Sequence, residues 1–241
     1  MSGAVRGGWQ SAPVSSRRSP WRRLRWWGAP LLLALTAVVA LYWPQLADPT
    51  PRYVVPAAEL AQARAELPEL AVKGRAPRTG YDRDEFGDGW ADLDHDGCST
   101  REDILTRDLT DRTVDGCRVA TGTLLDPYSG ATIHFVRGPD SAEVQIDHVV
   151  ALSDAWQKGA QQWTAARRTE FANDPLNLLA VDGGANQAKG AGDAATWQPP
   201  DRGYRCAYAI RQIAVKARYG LWVTAAEGDA LGRELDRCRT A

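Results

Sequence analysis

The stretch that decides the fold is QIDHVVAL at residues 145–152, followed by NDPLNLLAV at 173–181 and NQAKG at 186–190. The first stretch has the β-branched content of a strand. The short apolar run LLAV within the second fits another strand, and a helical pattern covers 185–191. The sequence therefore predicts two strands followed by a helix, with an Asp-His pair at the end of the first strand.

Polar side chains in these stretches are candidates for a catalytic site. Asp147 offers an oxygen ligand and His148 an imidazole that can take a proton near neutral pH. The amide of Asn177 can hold an imidazole in one tautomer, Asn186 supplies another metal-facing oxygen, and Lys189 can meet phosphate. Each residue alone also fits a structural role, such as a buried polar pair or a turn, so the order and context of the set carry the prediction.

At these residues the chain resembles the HNH endonuclease family. Residues 81–238 are similar to the secreted actinobacterial HNH nucleases of the GmrSD C-terminal-like group, also through GWADLDHDGCSTREDIL, GTLLDPYSGATIHFVRG and CAYAIRQIAVKARYGLW. The resemblance implies an α+β fold with a ββα-metal core and additional helices. It implies His148 as the general base, Asp147 and Asn186 as metal ligands, and Asn177 as the residue that positions His148. Two departures are Asn186 in place of His and the absence of zinc-binding cysteine pairs.

The expected function is that of an exported or membrane-anchored endonuclease with low sequence specificity, acting on DNA rather than RNA. One divalent ion, Mg²⁺ or alternatively Mn²⁺, would neutralise the leaving oxygen while His148 takes a proton from the attacking water. Besides nucleic acid, and the membrane through the N-terminal segment, the sequence implies no protein partner.

A second candidate site is the acidic loop Asp92-Leu-Asp94-His-Asp96-Gly97. Together with Asp103 at the twelfth position, its carboxylates have the ligand spacing of a calcium loop. An acidic turn that precedes a helix is the other interpretation. The loop supports an alternative function: a catalytically inactive, calcium-stabilised extracellular binding module. A cell-wall hydrolase ranks behind both, because the chain lacks an obvious catalytic carboxylate pair or zinc triad.

The charge distribution excludes a broad basic face for nucleic acid. The 241 residues include 29 Lys and Arg against 30 Asp and Glu, but six of the arginines precede residue 48. The rest of the chain has a net charge of −7. Phosphate chemistry therefore requires a local site or a bound metal ion.

The N-terminal region reads as a targeting segment. The expected parts are a basic tail at 1–27, a signal anchor or signal peptide at 28–43, a linker with a short helix at 44–80, and the nuclease domain at 81–241. The uncharged run at 28–43 is somewhat shorter than the ~20 residues that span a bilayer, so a retained anchor and a cleaved signal both stay open. The preceding arginines predict that the N-terminus stays inside and the domain is exported.

The cysteine content also favours export. The chain has four cysteines and no Cys-x-x-Cys motif, which predicts disulfides in an oxidising compartment. Three pairings are possible, and proximity in sequence favours Cys98 with Cys117 and Cys206 with Cys238. Further predicted elements are helices at 57–72, 100–107, 152–160, 164–172, 205–219 and 225–237 and a strand at 131–136.

Overall fold

Two antiparallel sheets form the β part of the structure, a computed structural model that describes Gly3 and residues 53–240. The strands are β1 (Leu109–Asp115), β2 (Arg118–Leu125), β3 (Thr132–Val136), β4 (Val144–His148) and β5 (Leu178–Asp182). One sheet has the order β1-β2-β3, and β4 pairs with β5 in the other.

Helices make up most of the remaining regular structure. They are α1 (Ala57–Glu66), α2 (Thr100–Asp108), α3 (Leu152–Gln157), α4 (Ala165–Asn173), α5 (Gly183–Lys189), α6 (Arg205–Tyr219) and α7 (Ala225–Arg237). Short 3₁₀ helices cover Leu67–Glu69, Arg83–Phe86, Pro139–Glu143 and Ala160–Gln162. The fold is therefore α+β, as the sequence predicts.

The predicted strand-strand-helix order is present in β4, β5 and α5. His148 lies opposite Leu178 in the antiparallel pair, and α5 follows β5 directly. The carboxylate of Asp182 caps the helix by accepting a hydrogen bond from the backbone nitrogen of Ala185, 2.6 Å away. A Cβ atom at Gly183 would lie 2.3 Å from the carbonyl oxygen of Ala142, so the close packing of this helix start requires glycine.

Residues 53–72 pack against the C-terminal helices, whereas the sequence suggests a spacer here. The helix predicted in this segment is present as α1, and its Leu60 and Ala63 are buried in one core cluster with residues of α6 and α7. Isolated β-bridges join Val55 to Thr240 and Val72 to Val223. Leu60 and Ala63 are three positions apart and therefore lie on one face of α1, which packs on this core. A linker surrounded by solvent would not have such a buried face.

Both predicted disulfides are present. Cys98 is bonded to Cys117, which joins the segment before α2 to the turn between β1 and β2. Cys206 is bonded to Cys238, which joins the first turn of α6 to the end of α7. Each bond closes a short loop and limits the conformations of the unfolded chain.

The predicted anchor or signal segment at 28–43 and the basic tail lie outside the described residues. Within the part of the chain that the structure describes, no helix has the length and apolar character needed to cross a membrane.

Candidate active site

A cleft of about 600 Å³ opens at the end of β4. Asp147 and His148 line it together with Gln145 from the same strand and Asn186 from α5. The facing residues include Arg78, Tyr81, Arg83, Trp90 and Arg101. The structure thus brings three of the five predicted site residues to one cleft, while the other two are buried in the interior.

The imidazole of His148 is held in one orientation. Its Nε2 atom lies 2.8 Å from the carbonyl oxygen of Ala172. Because a carbonyl can only accept a hydrogen bond, Nε2 must carry the proton, and Nδ1 keeps a free lone pair. Burial lowers the pKa of His148 to about 3, so the ring is neutral at physiological pH. The indole of Trp90 lies parallel to it, with 5.6 Å between ring centroids.

The carboxylate of Asp147 is fixed by two donors. The hydroxyl of Tyr128 donates to Oδ2 at 2.5 Å, and the ammonium of Lys189 lies 2.9 Å from Oδ1. Burial, followed by the charge of Asp147, raises the pKa of Tyr128 well above its ordinary value, so the hydroxyl stays a donor. A carboxylate has about four lone-pair positions, so Asp147 retains acceptor capacity.

Lys189 makes contacts different from those expected. The sequence suggests that its ammonium meets phosphate, but Nζ donates to Asp147 and, at 2.8 Å, to the carbonyl oxygen of His148. The side chain is 0% exposed. Placed at the end of α5, it ties this helix to β4 and offsets the buried charge of Asp147.

Asn177 also differs from expectation, because its amide does not hold the imidazole. Its Oδ1 accepts from the backbone nitrogen of Val150 at 2.8 Å, and its Nδ2 donates to the Val150 carbonyl at 3.3 Å. Its own carbonyl accepts from the nitrogen of Val149. Asn177 therefore fixes the backbone that follows His148, and the Ala172 carbonyl holds the ring.

The oxygen donors in the cleft fit a hard divalent cation. The amide nitrogen of Asn186 donates to Oε1 of Gln145 at 3.0 Å, which sets the orientation of the Asn186 amide. Its carbonyl oxygen and the carboxylate of Asp147 are ligand types that Mg²⁺ and Mn²⁺ prefer. Two protein ligands suffice for Mg²⁺, since it keeps several waters in its shell.

The acidic loop forms a second group of oxygen donors. Carboxylate oxygens of Asp92, Asp94 and Asp96 lie within 4.8 Å of one another, and an oxygen of Asp103 is within the same distance of Asp96. Burial, followed by the charges of the three loop aspartates, raises the pKa of Asp103. Among the described residues, Oδ1 of Asp92 is shielded from solvent and has no hydrogen-bond partner. This convergence agrees with the spacing seen in the sequence.

Sequence reasoning does not find several residues that line the cleft or hold its side chains in place. The Ala172 carbonyl carries no side-chain signal, since any residue can supply it. Tyr128 follows Asp126-Pro127 in a turn, which gives no hint of a contact with Asp147. The arginines at 78 and 83 lie far from the Asp-His pair in sequence, and only their positive charge in an acidic domain could have drawn attention to them.

Comparisons with known proteins show the family of the chain. The model of the C-terminal domain of GmrSD restriction endonucleases matches residues 99–234. A protein of Arthroderma benhamiae, described as an uncharacterized secreted protein, is 42% identical over 210 residues, covering 86% of this chain and 98% of its own length. No solved structure matches the chain.

Proposed function

The chain belongs to the family of GmrSD restriction endonuclease C-terminal domains, and from that premise we propose that it is an exported endonuclease. Its substrate would be nucleic acid, DNA rather than RNA, cleaved with low sequence specificity. β4, β5 and α5 would form a ββα-metal core. The cleft would be the place where the phosphodiester bond is hydrolysed.

One observation carries the proposal: a neutral histidine with a fixed tautomer lies beside a buried carboxylate in an open cleft. The hydrogen bond from Nε2 of His148 to Ala172 leaves Nδ1 as the proton acceptor. A general base needs this combination of orientation, available lone pair and access to substrate.

The proposed roles follow from these contacts. Nδ1 of His148 takes the proton from the attacking water, and the Ala172 carbonyl stabilises the imidazolium that forms. Tyr128 and Lys189 keep Asp147 in place, and Gln145 does the same for Asn186. Asp147 and Asn186 would hold Mg²⁺ or Mn²⁺, which when bound supplies positive charge to the phosphate and the leaving oxygen.

Export is supported by three features. The two disulfides are typical of proteins that mature in an oxidising compartment. The relative from Arthroderma benhamiae is named as secreted. The basic tail and the apolar run at 28–43 have the order of an export signal. We propose that the domain is either released or held on the outer side of the membrane by this run, with the N-terminus inside.

The test is cleavage of plasmid DNA and of RNA by the full chain with its disulfides formed. Reactions with Mg²⁺, Mn²⁺, Ca²⁺ or EDTA are compared for the wild type, His148→Ala and His134→Ala. His134 is exposed on β3, which makes its substitution the matched control. We expect metal-dependent cleavage that falls by about 10²–10⁴-fold in His148→Ala and is unchanged in His134→Ala. Full activity of a folded His148→Ala protein would refute the assignment of the base.

We also propose that the acidic loop binds Ca²⁺ through Asp92, Asp94, Asp96 and Asp103. The converging oxygens and the unpartnered Oδ1 of Asp92 support this site. Ca²⁺ should then raise the thermal midpoint of the wild type and leave that of a doubly substituted Asp94→Asn/Asp96→Asn protein unchanged. Asp140→Asn, at an exposed aspartate outside the loop, is the control.

The calcium experiment also tests the alternative function. An extracellular binding module would gain stability from Ca²⁺ and cleave neither DNA nor RNA with any metal. A nuclease with a calcium loop would show both effects, each abolished by a different substitution. Absence of any Ca²⁺ effect on the wild type would remove the loop as a metal site.

A further inference from the structure

One wall of the cleft comes from the part of the chain that precedes the family match. Residues 73–90, named here the strap, contribute Arg78, Tyr81, Arg83 and Trp90 to the lining. The family model begins only at residue 99. The strap is therefore an addition to the matched region that reaches the same cleft as Asp147 and His148.

The strap is fixed along its first half by backbone and side-chain contacts. Its backbone nitrogens at Lys73 and Ala76 donate to the carbonyls of Val223 and Gln157 at 3.0 and 2.9 Å. The indole nitrogens of Trp222 and Trp156 donate to the carbonyls of Gly74 and Thr79. Although residues 73–80 have the composition of a flexible linker, the strap holds a defined position beside the cleft.

A salt bridge anchors the strap to the interior. The guanidinium of Arg75 lies 2.9 Å from Asp154 and 2.5 Å from Asp193, and both carboxylates are buried. Arg75 is thus used for anchoring, whereas Arg78 and Arg83 are exposed and line the cleft. Within residues 53–240, neither Arg78 nor Arg83 forms an ion pair with a carboxylate. The guanidinium of Arg78 lies 4.8 Å from the ring centroid of Tyr81, a contact that leaves its charge unneutralised.

The cleft is cationic although the domain is acidic. Its lining holds Arg78, Arg83 and Arg101, of which Arg101 lies 3.5 Å from the carboxylate of Glu102. The one carboxylate in the lining, Asp147, is paired with Lys189. A cleft of one sign concentrates ligands of the opposite sign, and guanidinium groups match phosphate oxygens in geometry.

We propose that Arg78 and Arg83 of the strap, together with Arg101 of α2, bind the backbone phosphates of the nucleic-acid substrate on either side of the bond that is cleaved. This inference rests on the proposed function and deepens it. Contacts to phosphate position the strand without reading its sequence. The strap would therefore provide local positive charge for binding nucleic acid, which the net negative charge of the domain does not provide.

The experiment measures binding and cleavage separately with the full chain. Binding of a labelled DNA duplex is followed in EDTA, where metal-dependent hydrolysis is absent, at several salt concentrations. The variants are Arg78→Gln/Arg83→Gln and Arg101→Gln, and Arg233→Gln is the matched control at an exposed position on α7. Cleavage is then measured with Mg²⁺ or Mn²⁺ to give kcat and KM.

We expect the double variant to bind more weakly and to lower the slope of log affinity against log salt by about 2, since each phosphate contact contributes about 0.9. Arg101→Gln should lower it by about 1, and the control should match the wild type. In cleavage, the rise in KM should exceed the fall in kcat, because these side chains hold the strand without handling the proton.

The outcomes separate this inference from the nuclease assignment. Cleavage by the wild type with an unchanged salt slope in both arginine variants would overturn the inference and leave the nuclease standing. Arginine-dependent binding without cleavage in any metal would support phosphate binding by these arginines and overturn the nuclease. A wild type that neither binds nor cleaves would overturn both.

Discussion

Two groups of acids and bases within residues 53–240 lie largely in the interior, and they differ in access, since one is closed and the other opens to a cleft. The closed cluster consists of Arg75, Asp154, Lys158, Asp193, Lys216 and Glu227. Its three positive and three negative charges neutralise one another in a network of ion pairs. The cleft pair consists of Asp147 and Lys189 and is also neutral, but it adjoins His148, whose Nδ1 keeps its lone pair.

The comparison shows that burial and charge by themselves do not mark a catalytic site. In the closed cluster, Lys158 and Lys216 are 0% exposed and each is held by carboxylates at 2.6–3.1 Å. Such a network holds α3, α6 and α7 together. The cleft pair lies next to His148, whose Nδ1 atom can take a proton from a ligand in the cleft. This neighbouring titratable group is the feature that indicates chemistry.

The largest expected effect is in the closed cluster. Lys216→Met would leave Asp154 and Glu227 with one fewer counter-charge in the interior, which should lower the free energy of unfolding by about 3–5 kcal/mol. The activity of the folded molecules should not change, because Lys216 lies outside the cleft lining. Chemical unfolding and cleavage assays measure the two effects.

Arg218→Met, on the same helix, is the control for this prediction. The Arg218 side chain is 57% exposed and its nearest contact to Asp174 is 3.4 Å. Its loss should cost less than about 1 kcal/mol. Equal effects of the two substitutions would mean that the closed cluster adds no stability.

Sequence reasoning finds the elements whose patterns are local. The helices α6 and α7 begin and end where the sequence predicts, and the capping box of Thr224 and Glu227 forms as expected. The β1–β2 hairpin is not among the elements predicted from the sequence, although Asp115-Gly116 between β-branched residues is a hairpin signal and Gly116 adopts φ +57°. This turn is short and polar, so it gives no long apolar pattern.

The positions of the candidate site residues were easier to predict from the sequence than their contacts. The order of Asp147, His148 and Asn186 in sequence is enough to place them in one strand-strand-helix unit. The contacts of Asn177 and Lys189 depend on how the 29-residue connection between β4 and β5 folds and on how α5 packs. No local sequence pattern predicts either. Lys216 is likewise a residue type that usually lies on the surface of a helix, but here it lies in the interior.

The second prediction tests the structural role of a residue beside the cleft. Asn177→Ala would leave the buried nitrogen and carbonyl of Val150 without their side-chain partners, at a cost of about 2–3 kcal/mol in unfolding free energy. Asn177→Asp keeps the acceptor for the Val150 nitrogen but places a buried carboxylate oxygen against the Val150 carbonyl, so it should cost at least as much. A fully stable Asn177→Ala protein with reduced cleavage would instead indicate a direct role in catalysis.

The third prediction concerns the pairing of Asp147. Lys189→Met should cost about 2 kcal/mol, less than Lys216→Met, because Asp147 keeps the Tyr128 hydroxyl and borders the cleft. Removing the competing ammonium should also increase the rise in thermal midpoint caused by Mn²⁺, provided that Asp147 is a ligand. Lys189→Met/Asp147→Asn should lose the Mn²⁺ effect. A smaller Mn²⁺ effect in Lys189→Met than in the wild type would argue against metal binding here.

The smallest expected effect is a change with pH in the stability contributed by the closed cluster. Asp193 is buried, and although burial opposes it, hydrogen bonding to Lys158 and the charges of Lys158 and Arg75 lower its pKa to about 2. A carboxyl group with a lowered pKa contributes stability that is present above its unfolded value near 4 and is lost as the pH falls through about 2. The difference in unfolding free energy between the wild type and Asp193→Asn should therefore shrink by about 1–2 kcal/mol between pH 5 and pH 2. Asp229→Asn, at an exposed aspartate on α7, should show no such trend.

A constant difference for Asp193→Asn would mean that the stability of the closed cluster does not depend on the charge of Asp193. The closed cluster and the cleft pair would then differ only in whether a ligand can reach them.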